Sequence, residues 1–129
     1  MVLRQDGSLW STDVKATSQY KHFEEVLSSG VMAAAASTGF SIVLKQDGSV
    51  WGVGRNSYGQ LGDGTRVKSD FFSFSQTVPG AKAVSAGGSH AMVLTYTGRV
   101  RAMGRNKYGE LGEGTMALSI KGSIILILA

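Results

Sequence analysis

A segment of 23 residues occurs twice in this chain, 50 positions apart, and this duplication constrains the fold more than any other feature. Residues 43–65 read VLKQDGSVWGVGRNSYGQLGDGT and residues 93–115 read VLTYTGRVRAMGRNKYGELGEGT, with 13 of the 23 positions identical. A partial third copy lies at residues 2–10, which match residues 43–51 at an offset of 41. Self-similarity at a period of 20–50 residues is typical of solenoids, propellers and arrays of small sheets. We therefore expect features shared by the copies to build the scaffold, and features of one copy to be free for function.

Each repeat predicts a β-hairpin. Residues 40–45 and 50–53 are rich in apolar and β-branched residues and flank the pair Asp47-Gly48, which is a strong strand–turn–strand pattern. The Asp-Gly pair favours a type I′ turn, in which both central residues have positive φ angles. The same signal recurs at Asp6-Gly7, and Gly98 keeps its glycine in the last copy.

Further strands are expected on both sides of each hairpin. Residues 31–36 and 82–86 predict one more strand each, whereas residues 23–27 and 71–74 could be outer strands or lead-ins. A sheet of three or four short strands cannot bury both of its faces, but sheets stacked face to face can. The sequence therefore predicts an all-β fold, an incomplete β-propeller of two to three antiparallel blades.

The repeats divide the chain into three units and a tail. Residues 1–30 form a truncated unit, 31–80 a full unit and 81–115 a near-complete unit, and residues 116–129 do not align with any of them. The apolar run at residues 124–129 could pair as a terminal strand or could be an unrelated replacement tail. Six residues are too few to cross a bilayer, which needs about 20, so we expect no membrane association.

Composition excludes several classes of site. The chain has no cysteine, which excludes disulfides and thiolate metal sites. Its two histidines, His22 and His90, lie in no His-x-x-x-His pattern or carboxylate cluster, so we expect no metal and no cofactor. The glycine-rich blocks lack the Lys-Ser or Lys-Thr that a phosphate-binding loop requires. We also expect that the protein is not an enzyme. No secretory signal pattern is visible, which favours an intracellular setting in the cytoplasm or nucleus.

The duplicated motif supplies the expected structural residues. Gly59 and Gly109 are expected to adopt backbone angles closed to other residues, and Asn56 and Asn106 to hold the turn by bonding nearby backbone groups. The tyrosines and leucines are expected to pack between blades, and His90 to pack where the earlier copy has a phenylalanine. The full set is Gly54, Asn56, Tyr58, Gly59, Leu61 and Gly62, with Gly104, Asn106, Tyr108, Gly109, Leu111 and Gly112.

Positions that differ between copies are the candidate binding residues. Arg99 and Arg101 are two apart on a predicted strand and so share a face, and Arg105 and Lys107 make the last unit locally basic. With Arg55 in the preceding unit, they predict contact with an acidic protein surface or, less strongly, with nucleic acid or chromatin. The alternative interpretation is an ordinary solvated face. The net charge of +4 permits an acidic partner.

The motifs resemble those of the regulator of chromosome condensation repeat family. The resemblance covers residues 1 to about 115 and rests on Asp47-Gly48-Ser49-Val50-Trp51, Gly54-Arg55-Asn56 and residues 58–65, with their counterparts at 104–106 and 108–115. Family repeats form four-stranded blades, commonly seven per closed propeller, and seven units of 50 residues exceed this chain. The resemblance therefore implies a fragment of a larger propeller, closure by self-association through open blade edges, or an open arc.

The functional expectations follow from the fold and the resemblance. Propeller loops gather on broad faces suited to docking, so we expect a non-enzymatic protein-interaction module. The founding family member is a guanine-nucleotide exchange factor for a small GTPase that also binds chromatin, which implies exchange activity as an alternative. Other relatives inhibit β-lactamases or bind substrates for larger enzymes. A truncated gene product without independent activity is a third alternative.

Overall fold

The chain folds into small antiparallel sheets joined by tight turns. The computed structural model describes residues 1–11, 24–75, 80–112 and 119–126. Over these ranges it contains eleven strands and no helix, which confirms the all-β prediction. The strands are β1 (Val2–Leu3), β2 (Leu9–Ser11), β3 (Glu24–Leu27), β4 (Val31–Ser37), β5 (Phe40–Lys45), β6 (Val50–Gly54), β7 (Ser69–Ser75), β8 (Ala81–Gly87), β9 (His90–Thr95), β10 (Arg99–Gly104) and β11 (Ser119–Leu126). Within the described residues, no helix is long and apolar enough to cross a membrane.

The strands form three sheets in chain order. The first sheet is β1-β2-β3, the second β4-β5-β6-β7 and the third β8-β9-β10-β11. In each of them, consecutive strands are hydrogen-bonded neighbours. The connector segments that could have been lead-ins therefore supply outer strands, β3 and β7. Of the features named from sequence, His22, Phe23, residues 113–115 of the repeated motif and residues 127–129 lie outside the described residues.

The apolar tail supplies the outer strand of the third sheet. β11 pairs antiparallel with β10, and Ser119 lies opposite Gly104. In the second sheet Ser69 lies opposite Gly54, so the two outer strands begin at equivalent positions, 50 residues apart. Of the two interpretations of the tail, pairing as a terminal strand is the one observed. The third sheet thus continues to Leu126, past residue 115, where the recognisable repeat ends.

The hairpin between β5 and β6 has a different turn from the predicted one. Gly48 has a φ of 82°, but no non-glycine residue of the described chain has a positive φ, so the type I′ prediction is wrong. The Gly48 N–H donates to the Lys45 carbonyl at 3.0 Å, and the Lys45 N–H to the Ser49 carbonyl at 2.9 Å. This is a type I turn followed by a glycine bulge. Asp47 favours it because its Oδ1 accepts hydrogen bonds from the Ser49 N–H at 2.9 Å and the Ser49 hydroxyl at 2.5 Å.

The sheets pack face to face, each on the next. We call the face of a sheet that packs on the following sheet its leading face, and the opposite one its trailing face. Four side chains of the second sheet's leading face are 0–3% exposed, namely Phe40, Ile42, Leu44 and Val50. They pack against the trailing face of the third sheet, which supplies Ala81, Ala91, Val93 and Met103. Leu9 of the first sheet packs in the same way against Val31 and Val43 of the second.

A hydrogen bond between hairpin and next sheet accompanies each packed interface. The Gly7 carbonyl accepts the Val31 N–H at 3.1 Å, and the Gly48 carbonyl accepts the Ala81 N–H at 3.2 Å. Each donor is the first residue of the following sheet. The two interfaces inside the chain are therefore built by the same rule, as the sequence duplication requires.

Candidate functional site

The duplicated motif forms the turn that follows the third strand of a full sheet. At its start, the Arg55 N–H donates to the Gly39 carbonyl at 2.7 Å and joins the turn to the hairpin before β5. Gly54 has a φ of 104°, and a Cβ there would lie 2.3 Å from the Gly39 oxygen. Gly104 has the same environment, with a Cβ position 2.4 Å from the Ser89 oxygen. Only glycine fits such a close backbone approach.

Asn56 holds together the turn that follows β6 in the second sheet, as predicted. Its side chain is 1% exposed, and its Oδ1 accepts the Leu61 N–H at 3.0 Å. Its Nδ2 donates to the Thr65 carbonyl at 3.0 Å, the Val67 carbonyl at 3.1 Å and Asp63 Oδ1 at 3.2 Å. In the third sheet, Asn106 Oδ1 accepts the Leu111 N–H at 3.1 Å. The prediction that these asparagines bond nearby backbone groups is confirmed.

The tyrosines of the motif lie on the surface, contrary to the prediction that they pack between blades. Tyr58 is 37% exposed and Tyr108 is 73% exposed, while Leu61 and Leu111 are fully buried as expected. The nearby Gln60 is buried instead, and its Oε1 accepts the Tyr58 N–H at 3.0 Å. Gln60 is 0% exposed, and sequence reasoning did not single it out because a surface amide and a buried amide look alike in sequence.

The exposed tyrosines flank an arginine from the third sheet. Arg105 Cζ lies 5.8 Å from the ring centroid of Tyr58 in the preceding sheet and 5.0 Å from that of Tyr108. Lys107 Nζ lies 5.6 Å from the Tyr108 centroid. Cations at this range are attracted to the negative faces of aromatic rings. We call Tyr58, Arg105, Lys107 and Tyr108 the basic–aromatic surface.

The charge of Arg105 is only weakly compensated inside the protein. Its Nε is buried and has no hydrogen-bond partner among the described residues, and it forms a long ion pair with Glu110 Oε1, at 3.8 Å. That separation exceeds hydrogen-bond range. Hydrogen bonds from the backbone N–H of Glu110 itself and of Tyr108, with the nearby Arg105 charge, hold the pKa of Glu110 below its ordinary value. Glu110 thus stays ionised at neutral pH but is bonded mainly to its own turn.

The structure separates the five candidate basic residues. Arg105 and Lys107 belong to the basic–aromatic surface, and Arg55 occupies the corresponding turn of the second sheet, where its side chain packs over Gly39. Arg99 begins β10 and Arg101 follows within it. Since a strand rises about 3.3 Å per residue, Arg99 lies about 20 Å from Arg105 along the sheet. The basic character of the last unit is therefore split between its two ends.

His90 lies beside this surface, opposite Gly104 in the third sheet. The described residues contain no group of three or more His, Asp or Glu side chains that could hold a metal ion. His90 is half-buried, and its ring lies against Gly87, where an added Cβ would be 3.2 Å from His90 Cε1. It occupies the slot of Phe40, as the alignment of the copies predicts.

The stacked four-stranded sheets define the class of protein, a β-propeller repeat protein. Two models of the Regulator of chromosome condensation (RCC1) repeat match the chain, one at residues 33–60 and 81–110 and the other at residues 47–94. Together the matches span residues 33–110, more than half of the 129 residues. The chain belongs to the RCC1 repeat family. Comparison with curated protein sequences gave no significant match.

Solved structures with similar folds are RCC1-family propellers. Prp20p from Saccharomyces cerevisiae, described together with its binding to Gsp1p and histones, superposes with a TM-score of 0.79 and 21% identity over 97% of this chain and 35% of its own. Yeast RCC1 (Prp20) bound to Kap60 gives 0.79 and 20% over 97% and 34%. Human WBSCR16 gives 0.71 and 18% over 95% and 34%. The chain spans about a third of these proteins, so its fold is an incomplete propeller.

Proposed function

We propose that this chain is a non-enzymatic protein-interaction module that binds an acidic protein segment through its basic–aromatic surface. The observation that supports this most directly is Arg105, whose charge lies between two exposed tyrosine rings and whose ion pair with Glu110 is long, at 3.8 Å between Nε and Oε1. Tyrosine and arginine are the residue types that most often dominate protein interfaces. An incoming carboxylate can bind the guanidinium while apolar groups beside it cover the rings.

Charge in the surrounding turns favours an acidic partner. Residues 54–68 and their counterparts 104–118 contain five basic residues and three acidic ones. Two of the acidic groups are described by the structure and bond within their own turns, Asp63 to Asn56 and the Thr65 N–H, and Glu110 to the Tyr108 N–H. The basic residues lie in two separate turns and form no continuous stripe. That arrangement fits a short protein segment better than the regular phosphate track of nucleic acid.

A binding experiment with matched double variants tests the proposal. The probe is a fluorescein-labelled oligoglutamate peptide, followed by fluorescence anisotropy, with short duplex DNA as a second probe. Arg105→Gln with Lys107→Gln should weaken peptide binding about tenfold, since exposed charge pairs contribute about 0.2–1 kcal/mol each and 1.4 kcal/mol is tenfold. Arg99→Gln with Arg101→Gln removes the same charge from the opposite end of β10 and should change binding less than twofold.

Each other outcome has a definite meaning. Greater loss with Arg99→Gln and Arg101→Gln would place the interface at the end that the sequence alone suggested. Equal losses of affinity in the two double variants would show that binding depends on net charge alone. Tighter binding of DNA than of the peptide would indicate that the partner is a nucleic acid and not a protein segment. Binding should weaken between about 50 and 300 mM salt, because the Debye length shortens over that range.

Guanine-nucleotide exchange is a second candidate function. Its support is the fold likeness to Prp20p, whose structure is described with its binding to Gsp1p. The chain spans about a third of that protein, so exchange would have to proceed from a partial propeller face. Stopped-flow release of a fluorescent GDP analogue from a small GTPase measures it, and acceleration by this chain would support exchange over simple docking.

Absence of independent activity remains the third alternative. A packed domain unfolds in one cooperative transition, so a melting curve by circular dichroism distinguishes it from a collapsed fragment. We expect a single transition because the three sheets share two packed interfaces. A broad, non-cooperative loss of signal would favour the inactive fragment.

A further inference from the structure

The leading face of the third sheet repeats the apolar pattern of a buried interface, but no other sheet of the described chain covers it. Its leading face carries Met92, Leu94 and Val100, the repeat equivalents of Ile42, Leu44 and Val50. The three residues of the second sheet are 0% exposed, whereas their equivalents are only half-buried. Met92, Leu94 and Val100 belong to neither of the two hydrophobic clusters of the described residues, one between the second and third sheets and one between the first and second. This face therefore keeps the apolar pattern that receives a neighbouring sheet inside the chain.

The hairpin at this end is also uncovered. A Cβ on Gly48 would lie 3.4 Å from Gly80, where the next sheet begins, and a Cβ on Gly7 would lie 3.1 Å from the Gly30 nitrogen. At Gly98, the equivalent hairpin position, no heavy atom of the described residues lies within 4 Å. In the described chain, the third hairpin therefore lacks the contact that the first two make with a following sheet.

The opposite end of the chain presents the complementary face. Val43 is 0% exposed because the first sheet covers the second sheet's trailing face, but Val2, its repeat equivalent, is 46% exposed. Over the described residues, the leading face of the third sheet and the trailing face of the first are therefore not covered by another sheet, and these are the two kinds of surface that pack together twice within the chain.

Charge favours joining these two ends rather than pairing like ends. Residues 80–112, which form most of the third sheet, contain five basic residues and one acidic residue. Residues 1–11 and 24–27 of the first sheet contain one basic and three acidic residues. Opposite charges at the two ends attract, whereas two third sheets placed together would repel.

We propose that two copies of this chain associate head to tail, with the leading face of each third sheet packed on the trailing face of the partner's first sheet. Head-to-tail contacts form a ring when the rotation closes and a filament when it does not. Two copies contribute six sheets, which lies within the four to eight blades of known propellers. The proposed assembly is this closed dimer of six sheets.

Two variants and their mixture test this assembly. Sedimentation velocity from about 1 to 100 μM should show wild-type protein at twice the 13.6 kDa chain mass. Leu94→Glu blocks the leading end and Val2→Glu blocks the trailing end, so each alone should be a monomer. Mixed in equal amounts, they share one unaltered interface, between the third sheet of Val2→Glu and the first sheet of Leu94→Glu, and should form a dimer again.

The mixture keeps the test decisive even if a variant is poorly folded. Recovery of the dimer requires both variants to fold, and circular dichroism of each alone provides a second check. Val67→Glu is the control, since Val67 is 71% exposed in the turn after β6, and it should leave the dimer unchanged. A monomeric wild type up to 100 μM overturns the proposal. So does a Val2→Glu variant that remains dimeric alone, which indicates pairing of two leading faces, or a mixture of folded variants that stays monomeric.

Discussion

Replacing Asn56 by aspartate exchanges one amide for a carboxylate of the same shape at the centre of the repeat turn. The introduced group keeps the oxygen that accepts the Leu61 N–H but loses the donor to Thr65, Val67 and Asp63. Oxygen atoms that faced an N–H at 3.0–3.2 Å would then face another oxygen. The substitution therefore tests whether this side chain holds the turn by donating hydrogen bonds.

The magnitude follows from those contacts. Loss of two N–H donors costs about 1 kcal/mol each, and burial of an uncompensated charge costs several kcal/mol more. We expect Asn56→Asp to lower the free energy of unfolding by about 4–6 kcal/mol at pH 7, a large share of the 5–15 kcal/mol typical of a domain. Asn56→Ala leaves the Leu61 N–H without its acceptor and should cost about 3–5 kcal/mol at any pH.

The pH dependence gives the sharper result. Burial and the neighbouring oxygens raise the folded-state pKa of the introduced carboxyl above its unfolded value of about 3.9. The folded state is then favoured by protonation, so stability is retained below the unfolded pKa and lost as the pH rises through the folded pKa. At pH 4 the protonated acid can donate one hydrogen bond, and Asn56→Asp should be more stable than Asn56→Ala. At pH 7 the order should reverse.

Urea unfolding at one fixed protein concentration measures both variants at each pH. Gln46→Glu is the matched control, because it adds the same charge at an exposed hairpin position and should change stability by under about 0.5 kcal/mol. The reasoning is refuted if Asn56→Asp loses no more stability than Gln46→Glu at pH 7, or if its loss is the same at both pH values.

Three further variants test other parts of the repeat. Gly54→Ala should cost about 2–5 kcal/mol, from left-handed strain plus a backbone clash. A Cβ on Gly109 would meet no heavy atom of the described residues within 4 Å, so Gly109→Ala should cost about 1–2 kcal/mol, from the strain alone. Equal losses in chemical unfolding would argue against the clash. Hydrogen bonds from the Ser49 hydroxyl and N–H lower the Asp47 pKa, so wild-type stability should fall as the pH drops below about 4. Melting curves from pH 7 to pH 2 should show a smaller loss of stability for Asp47→Asn than for the wild type. Leu61→Ala removes a fully buried side chain and should cost about 2–5 kcal/mol of unfolding free energy. Val67→Ala, at an exposed site, should cost under about 0.5 kcal/mol. Similar losses in the two variants would show that the turn does not pack as described.

Sequence reasoning succeeded where a structure depends on neighbours along the chain. The hairpins, the role of Asn56 and the burial of Leu61 all follow from contacts within one repeat, and duplication showed which residues belong together. It failed on the turn type, because the I′ preference of Asp-Gly gave way to the hydrogen bonds that Asp47 accepts from Ser49. It left the role of the tail open, because residues 119–126 share little sequence with residues 69–75 and become equivalent only through pairing with the preceding strand.

The candidate site was only partly visible in the sequence. Lys107 was found because it differs from its counterpart Ser57, and Arg105 because it lies nearby in the sequence. Their separation from Arg99 became clear only from the length of β10. The contact of Arg105 with Tyr58 joins two sheets and could not be read from either repeat alone. Gln60 escaped notice because its burial depends on the sheet that follows it.

By itself, the sequence determined the repeat length, the antiparallel hairpins and the asparagine-centred turns, since each is specified by side chains and backbone groups a few residues apart. The tertiary structure alone decided which side chains lie between sheets and which face solvent, because a sheet's neighbour determines whether its apolar face is covered. Leu44 and Leu94 occupy the same place in two copies of one motif, yet the first is fully buried and the second is not. The difference comes from the third sheet, which covers Leu44 and has no following sheet in the described chain to cover Leu94.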